Sequence, residues 1–205
     1  LNNDLFIFLS WLSRSPRRRL RASHGDLRCR SCSTYPGKDS SGHALAADAI
    51  RAASQDDAPL VEHWDFDLGG PLFDGKAVCC VDAGNISTVM HDNERNRARI
   101  EAKTREVLAA SAVPILLGGD DSVVIPFLAG FAGHGPVWIL QIDAHIDWRD
   151  EVYGERYGYS SPMRRASEMP HIAGLVQVGL RSVGMSLRAH AGPPYPVGLR
   201  CRHQR

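Results

Sequence analysis

The sequence predicts an α/β fold on a mainly parallel sheet, and three observations carry that reading. Short runs that are apolar throughout recur along the chain, helical stretches alternate with them, and three of the runs end in acidic residues. A strand that is apolar throughout is buried on both faces, and helices connecting parallel strands supply that cover.

The elements follow in order. The stretch 44–54 (ALAADAIRAAS) reads as a short helix. The run 76–82 (KAVCCVD), bounded by Gly75 and Gly84, reads as a buried strand. The stretch 92–110 is rich in Glu, Arg and Ala and reads as a long surface helix. A second buried strand is expected at 113–117 (VPILL), closed by Gly118-Gly119, with a helix at 122–131 after it. A third strand is expected at 137–142 (VWILQI). The stretch 162–169 reads as a helix with Ser161 at its N-cap and Pro162 in its first turn. A fourth strand is expected at 175–180 (LVQVGL).

The 205 residues suit one domain, and no stretch is apolar and long enough to span a membrane. The net charge of +1 conceals an uneven distribution. The first 35 residues hold seven Arg and two acids, and residues 185–205 hold four Arg and no acid. The body between them carries 13 basic and 21 acidic residues. Basic ends on an acidic body can be arms for nucleic acid or membrane. The preferred expectation is that they lie outside the fold, because both lack periodicity and resemble out-of-frame translation of a GC-rich gene. The expected division is therefore an irregular segment 1–40, an α/β body 41–184 and an irregular tail 185–205. The apolar stretch 5–12 precedes its Arg cluster, the reverse of a secretory signal. Cys29, Cys32, Cys79, Cys80 and Cys201 form no disulfide framework, which leads to the expectation of a reducing cytoplasm.

Chemistry concentrates at the strand ends. The first run ends in Asp82, the second in Gly118-Gly119-Asp120-Asp121, and the third in Asp143-Ala144-His145-Ile146-Asp147. Ligands of open parallel sheets bind at the carboxyl ends of strands. Carboxylates converging there need a cation to offset their repulsion. Asp143, His145 and Asp147 alternate, so an extended segment would turn them to one side. Two carboxylates and an imidazole suit Mn²⁺, with Zn²⁺ or Fe²⁺ as alternatives. A solvated charged loop is the competing reading. Asp120 and Asp121 must point apart, one toward the metal site and one holding the loop. A nucleotide-binding reading has little support, since neither a G-x-G-x-x-G nor a Walker motif occurs.

Gly118-Gly119-Asp120-Asp121-Ser122 resembles the Gly-Gly-Asp-His-Ser motif of the ureohydrolases, the arginase and agmatinase family. Asp143-Ala144-His145-Ile146-Asp147 matches the family's Asp-Ala-His-x-Asp motif in full. A looser likeness runs from about residue 47 to about residue 184. The resemblance implies an arginase-like three-layer α/β/α sandwich on a mainly parallel sheet, incomplete at the C-terminus. It implies manganese-dependent hydrolysis of a linear, agmatine-like guanidino compound to urea and an amine. In the family a hydroxide between two Mn²⁺ ions attacks the guanidinium carbon.

Carried over by position, Asp121, Asp143, His145 and Asp147 would be metal ligands, with Asp121 standing where the family usually has histidine. The family's later Ser-x-Asp-x-Asp motif, which supplies two more carboxylate ligands, does not occur after Gly184. The expectation is a truncated member with an incomplete second metal site. A non-catalytic metal-binding remnant is the alternative. Trp148, Arg149 and Tyr157 are candidate substrate contacts, Tyr157 replacing a histidine that often lies near the substrate. Asp150 and Glu151 read as supporting or solvated residues, and Arg164 and Arg165 as surface charges. The expected partner is a small guanidino substrate, with neither nucleic acid nor membrane; the full-length family member is expected to be a homo-oligomer.

Overall fold

The computed structural model describes residues 33–39, 41–57, 60, 63–71 and 81–182. The five cysteines, the segments 1–32 and 185–205, and all but the last two residues of the 76–82 run lie outside the described residues.

A 3₁₀ turn at Ser41–Leu45 leads into α1, Ala46–Ser54. The long helix α2 spans Asn93–Ala109. A 3₁₀ turn at Asp121–Val123 opens α3, Val124–Ala129. Strand β1 is Val137–Ile142, α4 is Pro162–Ser167, and β2 is Ile172–Val178. The strands are parallel, with α4 in the crossover between them. Gln141 stands opposite Gln177 in the register. Pairing continues past β1, where the Ala144 carbonyl accepts from the Arg181 and Ser182 amides at 2.9 and 3.0 Å.

Two apolar clusters hold these elements. Ile100 of α2 packs with Val123 and Phe127, with Ile86, Leu116 and Phe131 around them. Leu128, Ile139, Met163 and Ala166 form the second cluster, joining α3, β1 and α4, and Trp148, Ile172 and Leu175 pack against it. Fully burying a side chain such as Ile100 or Met163 contributes about 1.5–3 kcal/mol.

Several expectations need correction. The 113–117 stretch is not a strand; it runs as irregular chain from the end of α2 to the Gly118-Gly119 turn. Strand β2 begins and ends earlier than expected, because Val137 already pairs with the His171 carbonyl and Gly179 turns the chain at φ +89°. The sheet is not covered on both faces among the described residues. Ile139 and Gln141 face the helices, whereas Trp138 and Ile142 are each 71% exposed and Leu140, Val176 and Val178 are exposed too. Ser161 occupies the N-cap of α4 without capping it through its side chain. The Arg164 amide instead donates to the Asp147 carbonyl at 3.2 Å.

Packed structure also starts before residue 41. Ser33, Thr34 and Tyr35 are buried. The Asn93 side chain hydrogen-bonds both the amide and the carbonyl of Thr34, each at 3.1 Å. Lack of periodicity does not forbid packing when backbone polar groups find partners on another element.

Candidate metal centre

The carboxyl end of β1 runs into the loop 143–147, and the Gly118–Asp121 turn lies against it. This brings together Asp121, Asp143 and Asp147, whose ligand oxygens all lie within 4.8 Å of one another. All three residues are buried.

The Gly118–Asp121 turn is packed from several sides. A Cβ on Gly118 would lie 2.5 Å from the Val123 side chain, and one on Gly119 would lie 2.8 Å from His43. Glycine is required at both positions by close approach. Asp120 points away from the centre and holds the turn, its carboxylate accepting from the Ser122 amide at 3.1 Å and from the Ser122 hydroxyl. The two adjacent aspartates therefore divide as the sequence suggests, one into the cluster and one into the loop. His43 stands 3.5 Å from Asp120, whose carboxylate raises the imidazole pKa. The Ser33 amide donates to the Ser122 hydroxyl oxygen at 3.2 Å, tying the N-terminal segment to the same turn.

In the 143–147 loop, Asp143 accepts from the His145 amide at 2.7 Å. Asp147 sits at φ +49°, in the left-handed region that aspartate tolerates better than most residues. Gln141 lies beneath the loop. It is 2% exposed, and its Nε2 donates to Asp147 at 2.6 Å and to Asp143 at 3.3 Å.

Charge is poorly compensated here. Burial first, then the neighbouring charges of Asp147 and Asp143, push the Asp121 pKa well up. Asp147 is raised to about 6, chiefly by burial and then by Asp143, against the lowering effect of the Gln141 hydrogen bond. Neither Asp121 oxygen, both buried, accepts a hydrogen bond among the described residues. Leaving a buried carboxylate so is costly, and a proton shared with a neighbour or a bound cation offsets the repulsion. Three converging carboxylates suit a hard divalent cation such as Mn²⁺.

The remaining sequence-predicted residues are placed as follows. His145 lies outside the group of three; its Nδ1 is 3.4 Å from Asp143 and its side chain is 41% exposed. Trp148 packs against the second apolar cluster. Arg149 is exposed, with its amide donating to the Ser160 carbonyl at 3.0 Å. Tyr157 lies under the Arg97 guanidinium, 4.4 Å from ring centre to Cζ. Asp82 does not join the carboxylates. It pairs with Arg51 of α1 at 2.6 and 3.0 Å, which lowers its pKa. Arg165 is not a surface charge: it is buried and paired with Asp150 at 2.5 Å. The sequence reading missed Gln141 and Gln177. The available signal was a lone amide in each of two otherwise apolar strands.

A parallel α/β unit with buried carboxylates at the carboxyl end of a strand has the ligand set for a cation, and comparison with known proteins gives its family. Residues 32–193 match the model of the arginase family. The mitochondrial agmatinase of Gallus gallus is 30% identical over 143 residues, 68% of this chain and 40% of the relative. The proclavaminate amidinohydrolase of Streptomyces clavuligerus is 32% identical over 143 residues, 68% of this chain and 44% of the relative. A crystal structure of a hypothetical agmatinase from Burkholderia thailandensis superposes with a TM-score of 0.62 at 26% identity, covering 78% of this chain and 49% of that one. The chain belongs to the arginase family. It spans about two fifths of the length of these two curated relatives.

Proposed function

We propose that this chain carries the metal-binding part of a ureohydrolase acting on a linear, agmatine-like guanidino compound, with Mn²⁺ as its metal. The observation that carries the reading is the buried Asp121 carboxylate, without a hydrogen-bond donor among the described residues and gathered with Asp143 and Asp147. Similar proteins named as an agmatinase, a guanidinobutyrase and a guanidinopropionase support the substrate class. Asp121, Asp143 and Asp147 would hold the ion, with His145 of the same loop as a further ligand. Bound Mn²⁺ would supply a water activated near neutral pH and positive charge to offset what develops at the guanidinium carbon. The protein's own contribution is to present the carboxylates preassembled at one strand end. Arg149 is exposed on the chain directly after the loop and is assigned to the carboxylate of guanidino acids such as guanidinobutyrate, a group that agmatine lacks.

Titration of the 205-residue chain with Mn²⁺, followed by calorimetry, tests the assignment. Asp121→Ala and Asp143→Ala should weaken binding at least tenfold, about the size of losing one charged ligand interaction. Equal binding by the parent and both variants would sink it. Urea release from agmatine, guanidinobutyrate and arginine tests the activity. The ligands present here can hold one ion tightly, so turnover by these 205 residues alone should be low. Appending a segment with the family's Ser-x-Asp-x-Asp motif should raise it. No turnover by a well-folded extended chain counts against the ureohydrolase reading.

A further inference from the structure

Beneath the carboxylates, two strand glutamines form a continuous hydrogen-bonded chain. Gln177 of β2 donates through its Nε2 to the Gln141 Oε1 and to the Ile146 carbonyl, the latter at 3.0 Å. Gln141 of β1 then donates through its own Nε2 to Asp147 and Asp143. The amide orientations admit one solution. Reversing Gln141 would set its Oε1 against a carboxylate and its Nε2 against the donors of Gln177. The register places the two residues side by side, so the arrangement follows from strand pairing. Gln141 is buried. A buried amide costs free energy unless each polar group is satisfied, and here each finds a partner on the 143–147 loop or on the other glutamine.

We propose that Gln141 and Gln177 are positioning residues for the metal centre, a directional amide relay that holds Asp143 and Asp147 at ligand spacing. One amide group ties the two carboxylates together, and the Gln177 bond to Ile146 fixes the loop between them. Gln177 acts through this relay, since its hydrogen bonds among the described residues go to Gln141 and the Ile146 carbonyl. Hydrogen bonds to ligating groups fix their orientation, and losing such a partner typically costs about ten- to a hundredfold in metal affinity. The inference rests on the metal reading above.

The test compares Gln141→Met, Gln177→Met and the double variant in the full chain. Methionine keeps the length of the side chain and removes the donors. Mn²⁺ affinity is read by calorimetry, the bound ion by its paramagnetic resonance spectrum, and folding by circular dichroism. Gln141→Met should lose about ten- to a hundredfold in affinity. Gln177→Met should lose less and broaden the spectrum, and adding it to Gln141→Met should change nothing further. Folded single variants that bind Mn²⁺ like the parent overturn the relay, as do losses that multiply independently in the double variant. A metal-free measurement separates this from the metal reading. In ¹⁵N spectra of the metal-free chain, the Gln141 side-chain amide should exchange slowly and shift in Gln177→Met. A parent that binds no Mn²⁺ yet shows this coupling overturns the metal reading and leaves the amide pair standing. A Gln141 amide at solvent-like positions, unmoved by Gln177→Met, overturns the relay whatever the metal does.

Discussion

At the scale of single residues, the centre is a balance between burial and charge, and pH exposes it. The pKa of Asp147 is raised from 3.8 to about 6 in the folded chain. The folded state therefore binds more protons than the unfolded state across that window. The stabilisation is complete below the unfolded value and is lost as pH rises through the folded one. In metal-free protein, the parent should lose stability relative to Asp147→Asn between about pH 4 and pH 7, a window set by this shift. Asp82 and Asp150 have lowered pKa values and opposite dependence, but they are common to both proteins and cancel in the difference. Chemical denaturation at several pH values measures it, and parallel curves would show that Asp147 is not so perturbed. Asparagine is the appropriate variant because it tolerates the φ of +49°, whereas alanine would add backbone strain to the lost charge. On the proposed metal reading, Mn²⁺ would compete with protons for these carboxylates, so its stabilising effect should be larger at pH 7 than at pH 5.

At the scale of elements, the segment around Tyr35 behaves as a strap across the 151–160 loop. The Tyr35 ring meets Tyr153 and Tyr159 at centroid distances of 6.3 and 4.6 Å, and its hydroxyl oxygen accepts from the Ser160 amide at 3.2 Å. A Cβ on Gly158 would lie 2.1 Å from this ring. Tyr35→Ala should cost about 3 kcal/mol, as large-to-small core changes do. Tyr35→Phe should cost about 1 kcal/mol, the net worth of one hydrogen bond. Urea denaturation distinguishes the two, and a neutral Tyr35→Ala would mean that the strap carries no stability. The strap was illegible in the sequence because it is fixed by partners 59 to 125 residues away, as Thr34 is by Asn93 and Tyr35 by Ser160. Helix α2 and strand β1 were legible because local composition and periodicity specify them. Asp143 and Asp147 were legible because they follow the carboxyl end of β1, where ligands of a parallel sheet gather, whereas Asp121 reaches them from a turn that irregular chain precedes. Gln141 and Gln177 were hidden inside apolar runs, since their roles appear only when the register sets them side by side.

At the scale of the whole molecule, the sheet face left open among the described residues is an expected site of self-association. Trp138, Leu140 and Ile142 of β1 and Val176 and Val178 of β2 present apolar surface away from the helices. Trp138 lies over Gly174, where a Cβ would come 2.1 Å from its ring. Contiguous exposed apolar surface on a sheet promotes association. The double variant Leu140→Lys/Ile142→Lys should therefore reduce self-association at micromolar concentration in sedimentation velocity, with the fold retained. Unchanged sedimentation would show that this face is not the contact. Among the described residues, no helix is long and apolar enough to cross a membrane.

The position of Gln177 on the far side of the β1–α4–β2 crossover has a kinetic consequence. The floor of the centre is complete only after β2 has docked, and docking requires closure of the whole connection from Gln141 to Gln177. Long-range contacts of this kind form late, since loop closure precedes any gain from pairing. An ion that needs the finished floor cannot assist the climb to the folding transition state. It can only deepen the native well. Mn²⁺ at a hundred times its dissociation constant would stabilise the native state by about 2.7 kcal/mol. Nearly all of that should appear as slower unfolding, about a hundredfold, with the folding rate unchanged. In a stopped-flow chevron, Mn²⁺ should lower the unfolding limb and leave the refolding limb where it was. An accelerated refolding limb would place the assembled carboxylates ahead of the β1–β2 pairing.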